Sequence, residues 1–197
     1  MRVRAALVSV MVLLTATLSA AADAKPLPKP QIVDPKGDAA AGQGSLDIVS
    51  VQYSTTGSGS GKAYVPKKLV VALTLVAPPN TSGLVAYNLR AMTDTCSSIR
   101  LRYFPGTPLG GLVGDSYAHF GSCSPDGGMF FNAKVKGSVV TMEFSLKATG
   151  LERGSELSEF RATVDASDPA GALTAGSELV MPGLGDSGAG DGTWIVP

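Results

Sequence analysis

The chain has 197 residues, and its 16 basic and 16 acidic side chains balance to a formal net charge of zero. This length suits a single domain with a substantial core. The balanced charge, with no basic stripe along the sequence, argues against a nucleic-acid-binding protein. The 24 glycines and 13 prolines predict frequent turns between short elements.

The N-terminus has the organisation of a secretory signal peptide. Arg2 and Arg4 precede an apolar run, and Ala22-Asp23-Ala24 has the form that signal peptidase cuts, with cleavage after Ala20 or Ala22 as alternatives. The run is shorter than the roughly 20 residues that span a bilayer, and no second run of that length follows. We therefore predict a signal peptide at 1–24 and an extracellular protein without a membrane span.

Three prolines in residues 25–33 favour an extended leader, because proline is poorly compatible with a helix interior. Residues 34–197 are predicted to form one domain. Within it, segments 55–62 and 151–159 are predicted as a loop and a turn.

Most of the domain follows the two-residue period of β-strands. In segment 139–148, Val140, Met142 and Phe144 alternate with polar side chains, which is typical of a half-buried antiparallel strand. About eight short strands separated by turns predict an all-β, antiparallel β-sandwich of jelly-roll or immunoglobulin-like type. The predicted strands are 47–53, 69–77, 84–92, 99–104, 130–135, 139–148, 160–164 and 192–197.

Cys96 and Cys123 are the only cysteines. An even pair in an exported chain predicts a disulfide between them. The alternatives, a zinc site or a catalytic thiol, would need partners that a chain with one histidine does not offer.

An acidic set near the start of the domain predicts a calcium site. Asp34 and Asp38 flank Gly37, and Asp47 begins the next strand, so that three carboxylates could converge. The alternative is a type I turn without a metal, because Asp, Pro and Gly are preferred in such turns. Later acidic residues could complete the shell: Asp165, Asp168, Asp186 and Asp191, with Asp165 and Asp191 the leading candidates.

The segment Asp34-Pro35-Lys36-Gly37-Asp38, followed by Leu46-Asp47-Ile48-Val49-Ser50-Val51, resembles the opening of β-sandwich modules in secreted bacterial proteins. These modules include DOMON-like domains, the glucodextranase C-terminal domain and family 9 carbohydrate-binding modules. The resemblance covers the first turn and strand. It implies a jelly-roll-like sandwich, often with structural calcium, that binds sugars or surfaces and does not catalyse a reaction.

One segment is similar to a catalytic motif. Gly185-Asp186-Ser187-Gly188 resembles the nucleophile motif of chymotrypsin-like proteases. The single histidine, His119, lies too close in sequence for that two-barrel fold, and a turn explains the segment better. We predict neither a catalytic residue nor an enzyme.

Aromatic residues cluster around the predicted disulfide: Tyr103, Phe104, Tyr117, Phe120, Phe130 and Phe131. The neighbours Phe130 and Phe131 cannot both face the core of one strand. One of them is therefore either exposed, as in a ligand-binding surface, or covered by the loop between Pro105 and Asp126.

These observations favour a secreted, monomeric, non-catalytic binding or surface module for a glycan or a cell-envelope component, stabilised by calcium. The alternative is a structural or protein-interaction domain, such as an adhesion unit or an inhibitor. Exposed aromatics in a groove would favour the first function, and a flat apolar patch the second.

Overall fold

The computed structural model describes residues 29–39, 43–81, 84–94, 97–106, 116–121, 127–167, 187–190 and 192–197. In these segments two antiparallel sheets pack face to face, which confirms the predicted β-sandwich. The predicted signal peptide, Cys96, Cys123, Asp168, Asp186 and Asp191 lie outside the described residues, so the disulfide remains a prediction.

In the described segments the elements are strands of 2 to 12 residues, a 3-10 turn and one short helix. In order they are β1 (Ile32–Val33), β2 (Ile48–Ser58), a 3-10 turn (Gly61–Ala63), β3 (Val65–Leu75), β4 (Leu84–Thr93), β5 (Ser97–Tyr103), β6 (Tyr117–His119), β7 (Gly128–Phe130), β8 (Lys134–Lys136), β9 (Val139–Ser145), α1 (Leu146–Thr149), β10 (Glu156–Ser167), β11 (Ser187–Gly190) and β12 (Trp194–Ile195). The first sheet has the order β1-β2-β3-β9-β8. The second has the order β11-β10-β4-β5-β6-β7, with β12 also paired to β10.

The core lies between the two sheets and is filled by the apolar side of each strand. Val140, Met142 and Phe144 of β9 all point inward, as their alternation predicts. Tyr53 of β2 meets Phe160 of β10 across the sandwich, with ring centroids 5.1 Å apart. Full burial of one large apolar side chain contributes about 2 kcal/mol, so the alternating pattern is enough to fix which face of each strand is inside.

The predicted strand 139–148 is wrong at its end, because the chain turns into α1 after Ser145. Leu146 and Thr149 are both buried, and the Thr149 hydroxyl donates a hydrogen bond to the Leu146 carbonyl at 2.7 Å. Gly150 then ends the helix with φ of +69°, the left-handed conformation in which glycine is preferred. The spacing of the buried residues in this segment fits a helical turn as well as a strand, so the sequence pattern does not distinguish the two.

Further boundaries differ from the sequence prediction: β3 runs from Val65 to Leu75, and only Trp194–Ile195 of the predicted strand 192–197 forms a strand. β2 continues to Ser58 through part of the predicted loop, and β10 begins at Glu156 within the predicted turn. The predicted strand 130–135 is divided between β7 in the second sheet and β8 in the first, so residues 131–133 carry the chain from one sheet to the other.

Residues at the end of the predicted leader form β1, whose Ile32 is fully buried. This strand pairs with β2 and also lies directly against β11. A Cβ atom at Gly188 would lie 2.7 Å from Ile32 Cγ2, and one at Gly190 would collide with the carbonyl of Gln31. The glycines of β11 therefore provide the space in which β1 closes this side of the sandwich.

A β-bulge in β10 changes which side chains face outward. Glu159, with φ of +48°, lies between Ser158, opposite Met92, and Arg161, opposite Arg90. The extra residue allows Leu157 and Phe160 to be buried although they are three positions apart. It also places Arg161 on the outward face, as the sequence alternation after Phe160 predicts.

Candidate functional site

The outward face of the second sheet carries a row of basic side chains that comes from four adjacent strands. Arg161 of β10 is opposite Arg90 of β4, Arg90 is opposite Arg100 of β5, and Arg100 is opposite His119 of β6. We call these four residues the arginine row. At about 4.8 Å between strands, the row extends roughly 14 Å across the sheet.

A second row runs beside the arginine row, two residues further along each strand. It contains Thr163, Asn88, Arg102, Tyr117 and Phe130, each opposite the next. The two rows are about 7 Å apart, as residues i and i+2 of a strand are. A single ligand could therefore contact both rows.

The arginines of this face are exposed and make no ion pair with any other described residue. Arg90 Nη2 donates a hydrogen bond to the Met92 sulfur at 3.3 Å. The Arg102 guanidinium lies 5.0 Å from the centroid of the Phe104 ring, a cation–π distance. These weak contacts orient the side chains without neutralising their charge.

On the first sheet, in contrast, two basic side chains are paired with a carboxylate. On its outward face, the Glu143 carboxylate contacts Lys134 Nζ at 2.7 Å and Lys68 Nζ at 2.9 Å. The hydrogen bonds from Lys134 and Lys68 lower the pKa of Glu143 to about 2. Two cations thus share a carboxylate here, whereas no described carboxylate is paired with the arginine row.

Two aromatic side chains lie beside the arginines at the β6–β7 edge. Phe130 is 71% exposed and Tyr117 is 38% exposed, and their rings meet edge to face with centroids 5.4 Å apart. Gly128 makes this possible, because a Cβ atom there would collide with the Tyr117 ring. The neighbouring Phe131 points inward and packs 5.1 Å from Phe144. Phe130 is therefore the exposed member of the pair of phenylalanines.

A shallow cavity of about 680 Å³ lies over these rows. Its described lining contains no carboxylate, and its side chains come from the strands just named: Asn88, Leu89, Arg90, Arg100, Leu101, Arg102, Tyr117, His119, Arg161 and Thr163. Asp165, one of the predicted late acidic ligands, lies further along β10 and accepts a hydrogen bond from Asn88 Nδ2 at 2.8 Å. The cavity thus offers cations, amide and hydroxyl groups and an aromatic edge.

The arrangement of His119 does not resemble a catalytic triad. The Gly121 backbone N–H donates to His119 Nδ1 at 3.1 Å, so the neutral ring carries its proton on Nε2. In a triad, Nδ1 instead donates to a carboxylate. Ser187 is on β11, four strands from β6, or roughly 19 Å across the sheet. The similarity to a protease motif therefore does not extend to its geometry.

The three early aspartates take different positions. Asp47 is only 3% exposed; its Oδ2 accepts a hydrogen bond from the Gly37 N–H at 2.6 Å, and its Oδ1 is buried without a hydrogen-bond partner in the described structure. Asp34 is partly buried, and its carboxyl group lies 3.4 Å from the Cβ position of Gly188. Asp38 is exposed. In the described segments, no group of three His, Cys, Asp or Glu residues is arranged to hold a metal ion.

Sequence analysis did not find the arginine row, although a signal was present. Asn88-Leu89-Arg90 and Arg100-Leu101-Arg102 each alternate polar and apolar residues, which places their polar side chains on one face. Joining them into a row requires the strand order and register, and neither is written in the local sequence.

No family model, curated protein or solved structure matches this chain. In the part of the chain that the structure describes, no helix has the length and apolar character needed to cross a membrane.

Proposed function

We propose that this chain is a secreted, non-catalytic binding module that holds a glycan or a cell-envelope component on the outward face of its second sheet. The observation that carries the proposal is the exposed Tyr117–Phe130 pair, of which Tyr117 lines the cavity over the arginine row. A large apolar ring with 71% of its surface in water costs free energy unless a ligand covers it. Sugar rings have apolar C–H faces and polar rims, and this cavity offers groups that suit both.

The edge position of the two rings favours a ligand over a structural role. Phe131 and Phe144 already supply the aromatic packing of the core below. Phe130 adds little to that packing, so its removal should leave the fold intact and reduce binding.

The alternative, a structural or protein-interaction domain, calls for a continuous apolar patch. The large apolar side chains that are exposed in the described segments are distributed over both sheets, with one in the connection after β3. They are Val33, Val65, Val76, Tyr117, Phe130, Val135 and Ile195. This distribution favours the glycan-binding function over a flat protein interface.

A glycan array with the purified chain, including neutral and acidic polysaccharides, tests the proposal. Phe130→Ser should lose most of the binding, because the stacking surface disappears. Val33→Ser is the matched control, since Val33 is also 71% exposed but belongs to the first sheet. Wild-type protein that binds no glycan, or equal losses in the two variants, would contradict the proposed function.

The proposal includes a calcium ion near Asp47 that stabilises the start of the domain. Its support is the Asp47 carboxylate, which is nearly fully buried and has one oxygen without a hydrogen-bond partner among the described residues. A buried carboxylate that lacks a cation or a full set of donors costs several kcal/mol. Calcium takes carboxylate and backbone carbonyl oxygens together, and the turn at Asp34–Asp38 could supply both.

A further inference from the structure

We propose that the ligand of the second sheet is an acidic glycan, and that the arginine row binds its anionic groups. This inference rests on the proposed glycan-binding function and adds the chemical class of the ligand: a polysaccharide that carries carboxylate, sulfate or phosphate groups.

Neighbouring cations in the row repel one another. Arg161, Arg90 and Arg100 follow each other on three paired strands, and like charges directly opposite each other destabilise a sheet. A fold that needed only solubility could alternate the sign of these charges, as Lys68, Glu143 and Lys134 do on the other sheet. An anion that lies across the row would remove the repulsion and gain charge-assisted hydrogen bonds.

The residue type also points to a specific anion contact. Arginine presents a planar fork of N–H donors that matches the two oxygens of a carboxylate, sulfate or phosphate group. His119 adds a donor at the end of the row, because its Nδ1 already accepts the Gly121 N–H and its proton is on Nε2. Both ends of the arginine row, Arg161 and His119, therefore offer N–H donors.

The geometry suits a polymer better than a single anion. The arginine row is roughly 14 Å long, and the parallel row with Asn88, Arg102 and Tyr117 lies about 7 Å away. Anionic groups that repeat along a polysaccharide could contact successive arginines. The sugar rings between them could contact Asn88, Thr163 and the exposed aromatic pair.

Single-stranded nucleic acid is the competing polyanion, and two observations disfavour it. Such proteins stack successive bases on several aromatic platforms, whereas this face has one edge-to-face pair, Tyr117 and Phe130. The formal net charge of the chain is zero, whereas nucleic-acid-binding domains usually carry a clear excess of positive charge.

Dextran and dextran sulfate provide a direct test, because they share one backbone and differ in charge. Isothermal titration calorimetry should detect binding of dextran sulfate at 50 mM NaCl that weakens at least tenfold at 300 mM, and much weaker binding of dextran. The double variant Arg90→Gln/Arg100→Gln should bind about tenfold or more weakly, since two charge-assisted contacts are lost. Polygalacturonate and a phosphate-bearing polymer, measured in parallel, identify which anionic group binds most tightly.

The matched control removes the same charge from the other sheet. Lys67→Gln/Lys136→Gln alters two exposed lysines on β3 and β8, and it should bind as the wild type does. Circular dichroism and the unfolding temperature must show that both variants fold. Equal losses in the two double variants, no binding of dextran sulfate, or tighter binding of single-stranded DNA would each overturn the inference.

The outcomes also separate this inference from the proposed function. Binding of dextran or another neutral glycan, independent of salt and sensitive to Phe130→Ser, would overturn the acidic ligand and leave the glycan-binding function in place. The absence of any glycan binding would overturn both.

Discussion

Two buried tyrosines show how single hydroxyl groups change stability at the residue scale. The Tyr87 hydroxyl donates to the Ser45 carbonyl at 2.5 Å, and burial raises its pKa above the ordinary value. The Tyr53 hydroxyl is fully buried with no hydrogen-bond partner in the described structure, and burial raises its pKa as well. The same substitution should therefore have opposite effects at the two positions.

Tyr53→Phe should raise the free energy of unfolding by up to about 1 kcal/mol, because it removes an unsatisfied polar group. Tyr87→Phe should lower it by about 1 kcal/mol, because a hydrogen bond is lost and the Ser45 carbonyl remains. Urea unfolding of both variants gives the comparison. Destabilisation by Tyr53→Phe as large as that by Tyr87→Phe would mean that the Tyr53 hydroxyl has a partner, such as a buried water.

The calcium proposal also depends on one residue. Saturating calcium should raise the unfolding temperature of the wild type, because a ligand that binds only the native state stabilises it. Asp47→Asn should lose this increment, since it removes the charge while retaining an oxygen that can accept the Gly37 N–H. Asp38→Asn, at the exposed Asp38, is measured in the same way. Glu152→Gln, which changes an exposed carboxylate elsewhere, is the control. Identical unfolding temperatures of the wild type in chelator and in millimolar calcium would contradict the site.

The lowered pKa of Glu143 predicts that the stability of the fold depends on pH in the acidic range. The hydrogen bonds from Lys134 and Lys68 lower its pKa from 4.5 to about 2, so the folded state favours the carboxylate. A group with a lowered pKa stabilises the fold above its unfolded pKa, and this contribution disappears as the pH falls towards the folded value. Glu143→Gln should therefore show a smaller loss of stability between pH 5 and pH 2 than the wild type does. Urea midpoints across this range provide the measurement, and an unchanged pH dependence would contradict it.

At the scale of elements, the bulge in β10 connects the core to the outward face. In a regular strand without the bulge, Arg161 would lie four positions after Leu157, would share its face and would point into the core. The bulge holds Glu159 at φ of +48°, a conformation that costs an ordinary residue about 1 kcal/mol and glycine much less. The bulge that turns Arg161 outward, and so places it in the arginine row, therefore has a conformational cost at Glu159.

Glu159→Gly should raise the stability of the fold by about 1 kcal/mol, because glycine adopts positive φ without steric strain. Glycan binding should remain, since the bulge and Arg161 keep their positions. Glu156→Gly, in a regular part of the same strand, is the control and should be destabilising. Thermal unfolding of the two variants decides the matter, and a loss of stability in Glu159→Gly would contradict the account of the bulge.

Elements with strong alternation could be predicted from the sequence, and those that depend on tertiary context could not. β4 follows its predicted segment closely, and β9 follows its segment as far as Ser145, because their apolar side chains repeat every two residues. β6 and β11 have three and four residues and lack such a pattern, and they exist because neighbouring strands offer hydrogen-bond partners. α1 was missed because a single buried helical turn and a strand end have similar apolar spacing.

The candidate site was less predictable than the fold, because its residues come together only in the tertiary structure. The sequence identified Tyr117 and Phe130 as members of an aromatic cluster, but it left open whether Phe130 or Phe131 faces outward and whether a loop covers it, and it did not predict the exposure of Tyr117. The arginine row was not predicted because its members come from separate strands: 90 and 100 from one hairpin, and 161 from a strand that follows much later. Only the register of the sheet brings these three residues together.

At the scale of the whole molecule, the two sheets present different outward surfaces. The first sheet pairs charges around Glu143, whereas the second carries arginines that form no ion pair with a described residue, a cavity over them, and the exposed Tyr117–Phe130 pair, of which Tyr117 lines the cavity. This asymmetry within a chain of zero formal net charge is the central feature of the proposed binding module. It predicts that one face of the sandwich binds the ligand and the other remains in solvent.

Backbone amide shifts, recorded during titration with a short acidic oligosaccharide, test this central claim most directly. We expect the largest changes in β4, β5 and β6, at Arg90, Arg100, Arg102 and Tyr117, and small changes throughout β2, β3 and β9. Changes of equal size on both sheets, or changes concentrated around Glu143 on the first sheet, would contradict it.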